Sequence, residues 1–584
     1  MRYIIYILVV FLSSTQLVIA QDLTSGVAAR FNLLLEEISI YEKTLSTSGG
    51  IWRGQHPLAL KVFSEDDYQG QKNKYLDFKT QLDNIDITKL SGEDQISHET
   101  MALKLKGIID QLKYKLYLIP FNAEGGFYNN LSRAIERLPF ADSSDYEAYV
   151  RWLPSYRTYL EDHMKLLRLG IEEGVVAPKV IVGNVIQHLE SWKTSDLSAH
   201  PLTARAMASL DNLTEDQRLI YAREIQAVMT QIWPVYHRLE HFFSYFYMEA
   251  AYEQPGISEM PRGKEYYEDR CDYFTTLDLS PDDIYEKGQS EVARIKEKME
   301  AIIVEVGYEG TFDSFIDMLR EDERFYAQTP DELLSRAAWL SKKAEGQLPR
   351  LFKQLYTVPF TVEPVPDEIA PTYTSGRYVR GSRSQNRPGI YWVNTYDLKS
   401  RPLYNLPALT VHEAVPGHHL QIMIAAELDS IADFRKSFYI SAFGEGWGLY
   451  SEYLGEEMGM YDDPYDRFGR YTYEMWRACR LVVDVGLHYK GWSRQRAIDF
   501  LASNTALSVH EVTTEIDRYI GWPGQALSYK IGELTIKDLR KRAEEALGDG
   551  FDIQEFHHRI LKNGSVPLPT LIREIDNWIT KSKP

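Results

Sequence analysis

Three histidines and two glutamates stand close together in the last third of the chain and could hold a catalytic metal. His412 and Glu413 lie in the segment VHEAVPGHHLQ, which also contains His418 and His419, and Glu445 follows in FGEGWGLYSEYL. Zinc prefers imidazole nitrogen and carboxylate oxygen, and a catalytic zinc has three protein ligands and one position open for water. A carboxylate beside the first ligand can take a proton from that water and return it to a leaving amine. These residues predict a zinc-hydrolase centre with Glu413 as the general base.

The spacing of the histidines differs from the familiar H-E-x-x-H motif, in which they lie one helical turn apart. Where the second ligand should stand, the chain has Pro416 and then Gly417, and neither side chain binds metal. On an ideal helix counted from His412, His418 falls at roughly 240° and His419 at roughly 340°, about 10 Å further along the axis. Proline and glycine favour a local bulge, and a bulge that absorbs two residues returns His418 to the face of His412. We therefore expect His418 to be the second ligand, with His419 as the alternative.

Two further alternatives concern the other ligands. Three more glutamates follow Glu445 on the same predicted helix, but Glu445 is favoured because glycines and aromatic residues surround it; the others are Glu452, Glu456 and Glu457. The segment from His237 to His241 fits the inverted motif H-x-x-E-H at regular helical spacing. It lies in an aromatic-rich amphipathic helix, where histidines commonly pack against aromatic neighbours. We take the inverted motif to be the weaker metal-site candidate.

Four segments of the chain together resemble a known bacterial family. They are HEAVPGHHLQ, FGEGWGLYSEYLGEEMG, RACRLVVDVGLHYKGWS and PGQALSYKIG. They are similar to the bacterial domain-of-unknown-function family 885 (DUF885), whose members look like distant relatives of helical zinc peptidases such as neurolysin and angiotensin-converting enzyme. The resemblance implies one zinc ion per chain, held by His412, His418 and Glu445, with Glu413 as the general base.

A short apolar segment before the metal motif predicts a β-strand in an otherwise helical chain. Gly389–Asn394 is β-branched and aromatic, and Pro388 and polar residues bound it. Zinc peptidases of the relatives' type bind the substrate backbone against an edge strand just before the metal helix. Tyr391 and Asn394 are therefore candidate substrate contacts.

Residues after the metal motif are candidates for stabilising the reacting carbonyl. Amide hydrolysis builds negative charge on that oxygen, and a fixed phenol or imidazole donor can be worth several kcal/mol. Tyr529 resembles the tyrosine with this role in the relatives, and His488 is a second candidate. Arg518 and Gln525, in the segment DRYIGWPGQALSYKIGEL, are candidate substrate-binding residues.

The start of the chain predicts export. A basic residue at position 2, a largely apolar run from Tyr3 to Leu12 and a small residue at Ala20 are typical of a secretory signal peptide that is cleaved after Ala20. The apolar run is too short to span a membrane, so we expect no stable membrane insertion after cleavage. The mature protein, residues 21–584, is expected to be periplasmic or secreted. Cys271 and Cys479 could pair there or remain buried and free.

Composition and periodicity predict a large, mainly α protein. The formal charge is −19, 44% of the residues are hydrophobic, and no Gly-rich phosphate loop is present, so we expect no nucleic-acid partner. Helical spacing of apolar residues extends over most of the chain and includes a predicted metal helix at Ala408–Leu428. The Pro-, Ser-, Gly- and Arg-rich segment 359–388 is expected to be irregular and to join two lobes, roughly 21–358 and 389–584. We expect a central cleft, with a short strand or hairpin beside the metal helix.

Three functions follow from these expectations. The first is a zinc-dependent metallopeptidase that acts on short peptides, because a deep cleft in a helical body excludes folded proteins. The second is a zinc hydrolase of a non-peptide amide, and the third is a non-catalytic protein that binds metal or peptide. Glu413 favours an enzyme, because a binding protein has no need of a carboxylate beside the first ligand. The sequence leaves the oligomeric state open.

Overall fold

The computed structural model describes residues 26–45, 50–367 and 369–583. The described chain is mainly α-helical, as predicted, with short strands in two small sheets. No helix in this part of the chain is long and apolar enough to cross a membrane. The predicted signal peptide, residues 1–20, lies outside the described residues.

The α-helices and strands are numbered in chain order. The helices before residue 360 are α1 (Val27–Leu45), α2 (Glu65–Asp83), α3 (Gly92–Lys113), α4 (Asn130–Ile135), α5 (Ser143–Trp152), α6 (Ser155–Glu173), α7 (Lys179–Ser191), α8 (Ala204–Ala208), α9 (Glu215–Phe242), α10 (Met248–Ala250), α11 (Gly263–Thr275), α12 (Pro281–Glu305), α13 (Phe312–Glu321), α14 (Pro330–Glu345) and α15 (Leu348–Leu351). The later helices are α16 (Leu406–Glu413), α17 (His418–Ala426), α18 (Asp433–Ser437), α19 (Ser441–Glu457), α20 (Pro464–His488), α21 (Arg494–Asn504), α22 (Val509–Gly521), α23 (Ser528–Leu547), α24 (Ile553–Leu561) and α25 (Leu568–Ser582). The strands are β1 (Phe121–Asn122), β2 (Gly125–Gly126), β3 (Phe360–Pro364), β4 (Gly376–Val379) and β5 (Gly389–Val393).

The chain divides into two compact units. The first comprises the described residues up to Tyr117, together with Phe127–Leu166 and Ser191–Leu239. The second comprises Leu118–Gly126, Leu167–Glu190 and the described chain from Glu240 onward. Their extents differ from the two predicted lobes, because residues 240–358 belong with the C-terminal part of the chain.

Helix α20 runs through the interior of the second unit. The Asp463 side chain accepts a hydrogen bond from the Tyr465 N–H at the start of α20, and Pro464 occupies the first turn, which together favour helix initiation there. From Phe468 to His488 every residue except Tyr471 is buried. A helix buried on all sides must pair its charged side chains. One such network extends from α20 to α12 and α23, and it joins Arg294, Arg470, Glu474 and Lys530.

Two glycines allow α19 and α23 to touch backbone to backbone. A Cβ atom on Gly446 would lie 2.5 Å from the Cα atom of Gly532, so both positions require glycine for this close approach. Tyr529 precedes Gly532 by about one helical turn. The contact therefore fixes Tyr529 against α19, the helix that carries Glu445.

A three-stranded sheet lies in the segment before α16. Strand β5 pairs in parallel with β3 and antiparallel with β4, so the strand order is β3-β5-β4. The predicted strand at Gly389–Asn394 is confirmed as β5. The prediction of an irregular segment at 359–388 is wrong in part, because that segment contains β3 and β4. The interpretation of Gly389–Asn394 as an edge strand is also wrong, since β5 has a partner on each side.

The two cysteines do not form a disulfide. Cys271 and Cys479 are both buried and free. Burial raises the pKa of the Cys479 thiol above its usual range. Cys479 is therefore an apolar core residue of α20.

Candidate metal centre

Three side chains from three helices converge on one point. His412 lies in the last turn of α16, His418 is the first residue of α17, and Glu445 lies in the first turns of α19. Their candidate ligand atoms all lie within 4.8 Å of one another. The Glu445 Oε2 atom is 3.6 Å from His412 Nε2 and 3.3 Å from His418 Nε2. Ligands about 2.1 Å from a tetrahedral ion lie about 3.4 Å apart, so this group could bind a metal.

The chain between the two histidines leaves the helix and returns to it. Helix α16 ends at Glu413, and the Gly417 N–H donates to the Val411 carbonyl at 2.9 Å, six residues back instead of the four of an α-helix. The Trp447 indole N–H on α19 donates to the Pro416 carbonyl at 2.8 Å and fixes the connection. The predicted bulge within one helix is therefore wrong in form. The two extra residues are nevertheless absorbed, and His418 faces His412.

His419 has a different environment from His418. Its Nδ1 atom is 3.0 Å from the Tyr378 hydroxyl, and its ring packs against Tyr356 and Phe360 at 4.3 and 4.7 Å between ring centroids. Burial lowers the pKa of His419 to about 4, so the ring is neutral at physiological pH. The alternative assignment of His419 as a ligand does not agree with this position, because His419 is not a member of the converging group.

Tyr439 orients the Glu445 carboxylate. Its hydroxyl donates to Glu445 Oε1 at 3.0 Å, which leaves Oε2 directed at the two histidines. The tyrosine ring lies so close to α19 that a Cβ atom on Gly444 would be 2.2 Å from its hydroxyl oxygen. Burial opposes the charge of Glu445, but the adjacent His418 and His412 hold the pKa of this carboxyl well below its usual range.

Glu452 contacts the ring nitrogen of His412 that does not face Glu445. The His412 Nδ1 atom is 2.8 Å from Glu452 Oε1, and the Arg477 guanidinium is 3.4 Å from the same oxygen. Burial lowers the pKa of His412, but the contacts with Glu445 and Glu452 outweigh it and raise the pKa to about 9. A carboxylate on the second nitrogen fixes the tautomer and orientation of a metal-binding histidine.

The sequence contained a signal for the role of Glu452. Glu452 follows Glu445 by seven residues, so both project from the same face of α19. From the sequence alone, Glu452 is a competing ligand for the metal. A ligand and the residue that orients another ligand can share one helix face in this way.

Glu413 is held by the sheet. Its Oε2 atom accepts the backbone N–H of Tyr378 on β4 at 2.7 Å, and the side chain is buried. This hydrogen bond comes from the strand and not from the helix, so it fixes the carboxylate from outside α16. Glu413 is adjacent in sequence to His412, whose pKa its charge raises.

Tyr529 lies beside His412. Its ring is 6.4 Å from the His412 ring, and the Arg480 guanidinium carbon lies 4.1 Å from the centre of the tyrosine ring. Burial and the charge of Glu445 raise the pKa of Tyr529, while Arg480 and Arg518 oppose that rise. The phenol is therefore protonated at neutral pH and can donate a hydrogen bond.

The sequence model of a bacterial protein family of unknown function, DUF885, matches residues 45–575. The chain belongs to the DUF885 family. No curated protein matches the chain.

Two solved structures resemble this DUF885 protein over nearly its whole length. A candidate lipoprotein from Colwellia psychrerythraea is 28% identical, with a TM-score of 0.87, and the match covers 95% of this chain and 100% of that one. A candidate lipoprotein of unknown function from Shewanella oneidensis is 16% identical, with a TM-score of 0.71, and the match covers 94% of this chain and 99% of that one. The second likeness shows the fold alone.

Arg518 and Gln525 lie near Tyr529 in the DUF885 fold. The Arg518 Nη1 atom donates to Gln525 Oε1 at 2.8 Å, and Arg518 also pairs with Glu515 at 3.0 Å. Gln525 in turn donates to the Ser441 hydroxyl at 3.3 Å. Both predicted substrate-binding residues are therefore close to the metal group, but their present partners are protein side chains.

The polar groups of three predicted site residues contact other parts of the protein. His488 accepts the Ile257 N–H on Nδ1 at 3.1 Å, and its Nε2 atom is 3.0 Å from the Tyr519 carbonyl, so neither nitrogen is left for a substrate. The Tyr391 side chain is buried with its hydroxyl 3.3 Å from Thr410. The side-chain amide of Asn394 donates to three backbone carbonyls in the segment before β4, those of Ala370, Tyr373 and Thr374.

The inverted motif does not form a metal group in the described chain. His237 and His241 are both exposed on α9, and His241 packs against Tyr245 at 4.7 Å. Among the described residues only His412, His418 and Glu445 form a group that could hold a metal.

Proposed function

We propose that the protein is a zinc-dependent metallopeptidase that hydrolyses short peptides outside the cytoplasm. The observation that carries this proposal is the convergence of His412, His418 and Glu445 with the Glu413 carboxylate next in sequence to the first of them. Two imidazoles and one carboxylate form a ligand set that suits zinc, with a fourth position open to the reaction. When bound, zinc supplies Lewis-acid activation of the carbonyl and of the attacking water.

Glu413 is proposed to move the proton. The Tyr378 N–H holds one carboxylate oxygen at 2.7 Å, and the other oxygen can accept the proton of the attacking water. Glu413 then returns that proton to the leaving amine, because one carboxylate can serve as base and acid in turn. General acid–base catalysis of this kind contributes about 10²- to 10⁴-fold to a rate.

Tyr529 is proposed to stabilise the developing oxyanion. Its phenol is close to His412, and the Arg480 cation lies 4.1 Å from the centre of its ring. A positive charge beside a phenol strengthens its hydrogen-bond donation. One fixed donor of this type is worth about 3 to 4 kcal/mol of transition-state stabilisation.

Strand β4, rather than β5, is proposed to bind the substrate backbone. Within the described sheet β4 pairs only with β5, and the outward N–H of Tyr378 reaches Glu413. An extended peptide added along this edge passes directly beside the Glu413 carboxylate. The outward carbonyl of Tyr378 would then accept a hydrogen bond from the substrate backbone, while Tyr391 and Asn394 hold the sheet together from within.

The proposed location is supported by the relatives and by the start of the chain. The Colwellia psychrerythraea neighbour is named as a candidate lipoprotein, a class of exported protein. Residues 1–20 have the pattern of a secretory signal peptide. We propose a periplasmic or secreted enzyme.

The experiment is a metal-dependent hydrolysis assay. The purified mature chain is stripped with a chelator, reloaded with one equivalent of zinc, and incubated with a mixture of unstructured peptides of four to twelve residues; mass spectrometry identifies the products. We expect cleavage only after zinc is restored. Intact peptides with the fully zinc-loaded protein would contradict the peptidase proposal.

A further inference from the structure

Two buried arginine side chains lie near Tyr529, and a third arginine lies on strand β4. The Arg480 guanidinium stacks on the Tyr529 ring, and Arg518 reaches the same region through Gln525. Both arginines pair with one carboxylate, Glu515, at 3.0 Å. Two guanidinium groups therefore share a single negative charge, although the protein as a whole has a formal charge of −19.

The third arginine, Arg377, is the accessible one. Its side chain is 48% exposed, and its guanidinium is 3.7 Å from Glu124, which is itself 40% exposed. The guanidinium carbon also lies 5.1 Å from the centre of the Tyr373 ring. An ion pair this long and this exposed contributes about 0 to 1 kcal/mol, so a ligand can replace Glu124 at small cost.

Arg377 stands beside the general base. It precedes Tyr378, whose N–H holds Glu413, and side chains alternate along a strand, so Arg377 projects from the opposite face to the Tyr378 ring. The Tyr378 ring contacts His419 on one face. Arg377 is therefore the immediate neighbour, along β4, of the residue whose N–H binds the Glu413 carboxylate at 2.7 Å.

We propose that Arg377 binds a carboxylate of the substrate, and that this carboxylate is the free C-terminus of the peptide. This inference rests on the proposed function, and it gives the enzyme an exopeptidase mode. Arginine matches a carboxylate with two parallel N–H donors, which also fixes the orientation of the chain. Arg480 and Arg518 add positive charge near Tyr529 and remain bound to Glu515.

The position of Arg377 places the bound carboxylate near the bond that is attacked. Arg377 adjoins Tyr378, whose N–H binds the Glu413 carboxylate at 2.7 Å. The enzyme would release short C-terminal fragments.

Binding to an inactive variant tests this inference separately from turnover. Zinc-loaded Glu413→Gln is titrated by calorimetry with three acetylated tetrapeptides: Phe-Gly-Ala-Ala as the free acid, the same peptide as the C-terminal amide, and the amide of Phe-Gly-Ala-Glu. We expect the free acid to bind at least tenfold more tightly than either amide. Tight binding of the glutamate amide alone would overturn the C-terminal assignment in favour of an acidic side chain.

The arginine is tested with a matched control. Adding Arg377→Gln should remove the tenfold preference, whereas Arg383→Gln, which deletes the same charge from an exposed position in the neighbouring turn, should keep it. Arg377→Lys should retain only part of the preference, because lysine keeps the positive charge but lacks the two parallel N–H donors of the guanidinium. Equal binding of acid and amide, or a preference that survives Arg377→Gln, would overturn the inference. Absence of cleavage by the zinc-loaded wild type would instead contradict the proposed function.

Discussion

Two segments of this protein carry paired histidines, and the segment with the poorer helical spacing is the one in which ligands converge. His237 and His241 are four residues apart on α9, as a regular zinc motif requires, yet both are exposed to solvent. His412 and His418 are six residues apart, lie on different helices, and meet Glu445.

The comparison shows that helical spacing alone does not make a metal site. On α9, His241 packs against Tyr245, and neither histidine has a third ligand in the described chain. At the other segment, α19 supplies Glu445, and further contacts from Glu452 and Tyr439 orient the ligands. A metal centre depends on a third ligand and on orienting partners from elsewhere in the fold.

The largest expected effect is on peptide turnover, and it comes from a substitution in the His412 segment that should leave metal binding intact. Glu413→Gln keeps the shape and the Tyr378 hydrogen-bond geometry of the side chain but cannot accept a proton. We expect peptide turnover to fall by about 10²- to 10⁴-fold while the zinc content is unchanged. Turnover is followed by mass spectrometry of peptide products, with Glu323→Gln, an exposed acid, as the control. Retained turnover would refute the role of Glu413.

His418 and His419 are adjacent in α17, and replacing each in turn separates a proposed ligand from a packed histidine. His418→Ala removes a ligand and should weaken zinc binding by at least about 100-fold. His419→Ala should keep zinc and instead reduce the free energy of unfolding by about 2 kcal/mol, because it empties the space between Tyr356 and Phe360. Zinc affinity is measured by competition with a chelator, and stability by urea denaturation. The opposite pattern would make His419 the ligand.

The orienting carboxylate predicts a smaller loss. Glu452→Gln leaves all three ligands in place but weakens the acceptor for His412 Nδ1, which lies 2.8 Å from the carboxylate. We expect zinc affinity to fall about 10- to 100-fold, as measured by the same competition. Glu457→Gln, on the same helix but paired with Arg540 away from the site, is the control. An unchanged affinity would show that Glu452 does not orient His412.

The smallest expected effect concerns the space beside His412. A Cβ atom on Gly448 would lie 2.7 Å from the His412 ring, so Gly448→Ala should destabilise the protein by about 1 to 3 kcal/mol despite the better helix propensity of alanine. Gly183→Ala in α7 meets no atom within 4 Å and should raise stability by up to about 1 kcal/mol. Thermal or urea unfolding distinguishes the two. A stabilising Gly448→Ala would contradict the close packing of α19 on His412.

Much of the site followed from residue chemistry. The pattern of histidine, glutamate, proline and glycine predicted the ligand group, because two residues between the histidines had to be absorbed for His418 to face His412. Apolar periodicity predicted the mainly α fold, and β-branched and aromatic composition predicted β5.

The remaining features depend on long-range contacts. After Glu413 the chain leaves the helix, and a contact from another helix holds it there. The Trp447 indole N–H on α19 donates to the Pro416 carbonyl. Strand β5 was misplaced at the sheet edge because pairing with β3 and β4 joins residues that local patterns do not connect. His488, Tyr391 and Asn394 have residue types suited to chemistry, but the fold uses their polar groups to satisfy buried backbone and side-chain partners.

The most direct test of the central claim is the zinc content of the purified mature protein, measured by elemental mass spectrometry in parallel for wild type, His412→Ala and the double variant His237→Ala/His241→Ala. The metal centre described above predicts about one zinc per chain in the wild type and in the double variant, and loss of that zinc in His412→Ala. A wild type without zinc, or zinc that remains in His412→Ala, would contradict it.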